Sequence, residues 1–224
     1  MTDQPSIATH EILVQAGAQA LPGFLTLPAF ATGLVIFVHG SGSSRFSTRN
    51  RYVAEVLNSG GLGTLLFDLL TPEENEIDLV TRALRFDIGL LSERTVATLD
   101  WVAAEPALAA LRIGLFGAST GAAAALNAAA ERPGQVAAVV SRGGRPDLAI
   151  PRLPEVEAPT LLIVGGLDTP VIEMNREAAR HLRAPWRLEI VEGATHLFEE
   201  PGTLEQVAIL ARDWFLQHLA AAAA

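Results

Sequence analysis

Cysteine is absent from this 224-residue sequence, which excludes a disulfide framework, a thiolate metal site and a cysteine nucleophile together. Basic residues are in deficit. The 16 Lys and Arg stand against 25 Asp and Glu, a formal charge of −9, and an acidic chain is poorly matched to the phosphates of nucleic acid. No uninterrupted apolar run reaches the roughly 18 residues a membrane-spanning helix needs, and the alanine-rich tail after Leu219 is too short to make one. The opening MTDQPSIATHEILVQ carries Asp3 and Glu11 and no basic stretch ahead of an apolar run, so it does not read as a signal peptide. What the sequence has in plenty is apolar residue, 50% of the total, enough for one large core in a single domain over residues 1–224. These features predict a soluble, cytoplasmic globular protein without nucleic-acid or membrane partners.

Short apolar runs alternate with longer stretches of helical periodicity. The runs GLVIFVH (33–39), GTLLFD (63–68), LRIGLFG (111–117), VAAVVS (136–141), TLLIVGG (160–166) and WRLEIVEG (186–193) have strand length, and the first is continuously apolar up to its histidine. Strands of that kind are buried on both faces, and the helical segments between them supply the crossovers of a parallel sheet. The fold class is therefore α/β, a mostly parallel sheet with helices on both faces. At the N-terminal end, His10 to Gln15 and Gln19 to Leu27 predict an antiparallel hairpin turning at Gly17. Pro22 within the second run favours an edge location. The longest irregular segment runs from Leu69 to Asp87. Its acidic residues Glu73, Glu74, Glu76 and Asp78 read as a solvated helix face, with a flap over a site as the competing reading.

The sharpest chemical signal is Gly117-Ala118-Ser119-Thr120-Gly121, which follows a strand and opens an alanine-rich helix. A turn this tight strains the backbone at its centre, and small flanking residues remove the steric conflict. Ser119 is thereby lifted above the sheet edge at the positive end of a helix dipole. No Lys-Ser/Thr pair follows Gly121, and the glycines at 114, 117 and 121 miss GxGxxG spacing, so neither phosphate-loop pattern applies. A serine hydroxyl needs a base. Of the five histidines, His196 in GATHLFEE lies after the last strand, on the same rim as Ser119, whereas His10, His181 and His218 fall in solvated patterns. Asp168, after the strand before it, is the expected acid; Asp147 in SRGGRPD competes, although it could pair with Arg142 or Arg145. The loop HGSGSSRFSTRN after the first central strand supplies the remaining element. A tetrahedral oxyanion needs two preorganised N–H donors, here the amides of Thr120 and Ser41, with Gly42 the alternative to Ser41. His39, the last residue of its strand, is placed to shape this loop.

Four blocks in order, HGSGSS, GASTG, VGGLD and ATHLFEE, resemble the α/β-hydrolase family, and within it the compact dienelactone-hydrolase-like group, over residues 10 to 219. The resemblance implies an eight-stranded, mostly parallel sheet and no cofactor or metal. It also implies Ser119 as nucleophile, Asp168 as acid and His196 as base, acting on carboxylic esters or lactones. Dienelactone hydrolases proper use a cysteine nucleophile. Ser119 stands there in this chain, which points to a serine esterase rather than to dienelactone as substrate. No insertion of cap-domain size separates Ser141 from Thr160, so the site should be open. Similar sequences occur fused to phosphoribosyltransferase-like domains, which makes a partner of that kind conceivable.

Two arginines near the rim, Arg45 and Arg142, are candidates to clamp an anionic substrate, since guanidinium matches carboxylate geometry. The ordinary alternative is that they brace loops by pairing with Asp68, Asp87 or Asp147. Leu69, Leu70, Phe86 and Leu197 are either pocket lining or plain core. Two further functional readings stand beside a small-ester hydrolase: a binding or regulatory module on the same scaffold, and the same triad acting on a thioester, amide or carbon–carbon bond.

Overall fold

A computed structural model describes residues 7–220; the first six residues and the last four, including Asp3 and the end of the alanine tail, lie outside it. Eight strands form one sheet: β1 (Thr9–Ala16), β2 (Gln19–Thr26), β3 (Leu34–Val38), β4 (Gly63–Phe67), β5 (Ile113–Ala118), β6 (Val136–Arg142), β7 (Thr160–Gly165) and β8 (Trp186–Val191). Their spatial order is β1-β2-β4-β3-β5-β6-β7-β8. β1 and β2 pair antiparallel, as do β2 and β4, and every pairing from β4 onward to β8 is parallel. The hairpin expected at the N-terminal end is present and turns at Gly17, which sits at φ +64.

The hairpin extends one edge of the sheet, the location that Pro22 favours. β2 is not itself an edge strand, because β1 lies outside it. The β2–β4 ladder begins at Gly23, opposite Phe67, and the Pro22 carbonyl accepts from the Asp68 amide just past its end. The missing proline N–H points to the same side, where no strand partner requires it.

Helices α1 (Thr48–Ser59), α2 (Pro72–Thr81), α3 (Ile88–Ala104), α4 (Thr120–Glu131), α5 (Thr169–Ala179) and α6 (Thr203–Leu219) alternate with the strands. α1 and α6 pack on one face with Val35, Phe37, Phe116 and Val140. α3 and α4 cover the other with Leu34, Ile36, Leu65 and Leu115. This two-sided burial is why β3, β4, β5 and β7 read as unbroken apolar runs. α4 is buried on nearly every side, which explains its alanines: larger side chains would hold it off the sheet.

The 69–87 segment is ordered by its own polar groups. Pro72 occupies the first turn of α2, and Thr71 and Glu74 form a reciprocal capping box. Glu73 and Glu76 are exposed, as a solvated face requires, but Asp78 is not: it is buried and ion-paired with Arg85 Nε at 2.6 Å. That pairing holds the Asp78 carboxyl below its ordinary pKa in spite of the opposing effect of burial. Among the described residues no helix is long and apolar enough to cross a membrane.

Candidate active site

β5 ends in a tight turn whose geometry is set by what flanks it. A Cβ on Gly117 would stand 2.4 Å from Ala122 Cα, and one on Gly121 would stand 2.1 Å from the Val38 carbonyl oxygen. Neither is tolerable, so only glycine lets α4 start directly against the ends of β5 and β3. Between them Ser119 adopts φ 50 and ψ −123, a left-handed conformation costly for a residue with a side chain. It is held there from three sides. Its N–H donates to the Arg142 carbonyl at 3.2 Å, and its carbonyl accepts from Ala122 at 3.1 Å and Arg145 at 3.0 Å.

His196 arrives on the loop after β8. Gly165 makes the crossing possible, since a Cβ there would lie 2.5 Å from the Ala194 carbonyl. Thr195 gives its N–H and hydroxyl to the Glu200 carboxylate at 3.1 and 2.6 Å, and fully buried Phe198 anchors the loop below at φ 55. The imidazole Nδ1 lies 2.6 Å from Asp168 Oδ2. Asp168 begins α5, yet its carboxylate makes no cap hydrogen bond, which leaves it free for the imidazole. The competing acid is otherwise engaged: Asp147 forms a two-pronged pair with Arg145 at 2.9 and 2.8 Å.

The two halves meet at Gly143. It follows Arg142, whose carbonyl holds Ser119, and a Cβ on it would stand 3.2 Å from the His196 carbonyl and 3.6 Å from its ring Cε1. Among the described residues no hydrogen bond joins Ser119 Oγ to His196 Nε2. That contact commonly tightens only when substrate is bound.

On the other side of Ser119, His39 is buried and engaged at both nitrogens. Its Nε2 accepts from the Leu69 N–H at 3.1 Å, which assigns the ring proton to Nδ1, 2.9 Å from the Gly40 carbonyl. Burial lowers its pKa and keeps it neutral. His39 thus fastens the start of the loop after β3 to the segment after β4. The Ser41 amide donates to Thr120 Oγ1 at 3.0 Å. Gly42, at φ +70, has Arg85 Nη1 2.9 Å from the place its Cβ would take. The Arg85–Asp78 pair therefore lies against the loop after β3, a proximity hidden in the sequence because Asp78 looks like one more charge in an acidic run. Leu69 and Leu70 are buried in the core, whereas Phe86 and Leu197 are exposed.

The arginines divide. Arg45 is ion-paired with Asp68 and stacks over the rings of Phe46 and Phe24 at 4.3 and 5.2 Å, so its charge is already matched. Arg142 is 8% exposed and, among the described residues, has no carboxylate within ion-pairing distance; its Nη2 donates to Asn50 Oδ1 at 3.2 Å. Burial, with nearby Arg49 adding repulsion, lowers its pKa to about 10, so it stays charged at neutral pH. It ties β6 to the first turn of α1. A cavity of about 520 Å³ lined by Leu99, Leu108, Ile113 and Val136 opens at the starts of β5 and β6, the opposite end of the sheet from Ser119. Among the described residues no group of three or more His, Asp or Glu could hold a metal ion.

An eight-stranded, mostly parallel sheet with a serine elbow after β5 and no large cap defines an α/β-hydrolase fold. The family model for the dienelactone hydrolase family matches residues 64–218, and the chain belongs to that family. A crystal structure of dienelactone hydrolase from Anabaena variabilis is 59% identical, with a TM-score of 0.94 over 95% of this chain and 98% of that one. The esterase domain of a Rhodothermus marinus protein, 20% identical, shares the fold with a TM-score of 0.73 over 96% of this chain and all of that one, 100%. A protein from Mycobacterium tuberculosis strain H37Rv, called a putative phosphoribosyl transferase, is 57% identical over 215 residues, 96% of this chain but 48% of its own length. The chain thus spans about half the length of the curated relatives it matches.

Proposed function

We propose that this chain is a serine carboxylic ester hydrolase acting on small esters or lactones through an acyl-enzyme, in the cytoplasm and without a cofactor. The observation that carries the reading is the 2.6 Å contact between His196 and Asp168, placed against Gly143 beside a serine held at positive φ. Ser119 Oγ bonds to the carbonyl carbon and its proton passes to His196 Nε2, while Asp168 keeps Nδ1 protonated and stabilises the imidazolium. The electron pair displaced onto the carbonyl oxygen faces the Thr120 amide in the first turn of α4 and the Ser41 amide. Collapse breaks the ester C–O bond, His196 protonates the leaving alcohol, and water repeats the sequence on the acyl group.

The phosphoribosyl transferase name of the curated relatives attaches to proteins about twice this length, and we assign hydrolase chemistry to the half they share with this chain. Chromogenic esters of graded acyl length test the proposal. Wild type should turn them over, and Ser119→Ala should lower kcat by on the order of 10⁴ or more with an unchanged circular dichroism spectrum. An Ala variant that keeps most of the activity contradicts it.

A further inference from the structure

The oxyanion loop and the nucleophile helix are joined by one side chain that the mechanism above leaves unused. Close contact of Gly121 with the Val38 carbonyl brings the first residue of α4 under the 40–43 turn. There the Thr120 hydroxyl accepts the Ser41 N–H at 3.0 Å. Thr120 is 6% exposed, so little water competes for that bond. An oxygen atom thus already sits on one of the two amides expected to bind the oxyanion. Its lone pair is engaged by Ser41, and among the described residues its own proton has no acceptor. Buried hydroxyl protons ordinarily find a partner. The unused proton belongs to the residue whose backbone amide is the other oxyanion donor, so both groups project from one α-carbon beside Ser119.

We propose that Thr120 is a catalytic residue through its side chain, a hydroxyl donor to the oxyanion in addition to the amides of Thr120 and Ser41. At rest the hydroxyl keeps the Ser41 amide aimed at the elbow. When Ser119 attacks, the carbonyl oxygen enters between the two amides, shares the Ser41 N–H, and takes the Thr120 O–H as its third hydrogen bond. No bond to the hydroxyl proton breaks; it is donated and kept. The donor gains strength as the oxygen gains charge, so the effect belongs to the transition state rather than to substrate binding.

This inference rests on the esterase reading, and the experiment separates the two. Thr120→Val keeps the shape and removes the hydroxyl; Thr120→Ser keeps the hydroxyl. The expected result is a fall in kcat of about 10²-fold for Thr120→Val with KM nearly unchanged. A matching loss should appear in the affinity for a phenylboronic acid, whose serine adduct is tetrahedral. Thr120→Ser should recover both to within severalfold. An active wild type whose Thr120→Val variant keeps its kcat overturns the inference and leaves the esterase reading standing. Equal losses in Val and Ser variants also overturn it, by showing that the methyl group matters rather than the hydroxyl. A wild type inactive on every ester removes both.

Discussion

At the scale of single residues, the two candidate acids are told apart by their partners. Asp168 and Asp147 leave adjacent strands at the same rim, and the sequence alone ranks them only by their neighbours. In the structure the first faces His196 and the second is taken by Arg145. Asp168→Asn should therefore lower kcat by on the order of 10³–10⁴, since an amide cannot fix the imidazole tautomer, while Asp147→Asn should stay within about threefold. Steady-state kinetics on one chromogenic ester check both, and the reverse ranking would reassign the acid. The positions of Ser119, His196 and Asp168 at one rim follow from the strand order and a glycine-flanked elbow, and the structure brings His196 and Asp168 into contact. The side-chain contact of Thr120 was not legible in the sequence, because its partner is 79 residues away and nothing in local pattern announces a contact across the molecule. The arginines show the same limit. Pairing of Arg45 with Asp68 was among the expected braces, but the neutral partner of Arg142, Asn50, was not.

Elements were read best where burial is two-sided. Apolar runs mark β3 to β7, whereas β8, with Arg187 and Glu189, is only half-buried, and the glycine after Ala16 marks the hairpin. The 3₁₀ stretch Pro146–Glu155 escaped notice because Pro151 and Pro154 break any helical period. α2 was half-visible: its charges were plain, its capping box and buried Asp78 less so. At this scale His39 matters most, since it joins the end of β3 to the chain leaving β4. Burial depresses its pKa, so the unfolded chain takes up a proton more readily than the native one. The resulting stability is complete above the ordinary histidine value of about 6.5 and declines as pH falls below it. Unfolding by urea at pH 7 and pH 5 should show that decline. His39→Gln, which keeps an acceptor for Leu69, should make it shallower. Some slope should persist, because His218 is also depressed by burial and by Arg112. An identical slope in the variant would contradict the assignment of a neutral His39.

At the scale of the whole molecule, the sheet matters as a device for bringing distant loops to one rim. Parallel pairing from β4 to β8 places the ends of β3, β5, β6, β7 and β8 on the same side, and each contributes one part. β3 gives the loop that carries Ser41, β5 the serine, β6 the carbonyl that holds it, β7 the carboxylate and β8 the imidazole. The central claim is that these parts make Ser119 a nucleophile. A fluorophosphonate reports on that directly, because it bonds covalently only to an activated serine. Peptide mapping after brief exposure should find one adduct, on Ser119, with labelling slowed by on the order of 10³ or more in His196→Ala. No adduct, an adduct on another residue, or wild-type labelling in His196→Ala would contradict the account.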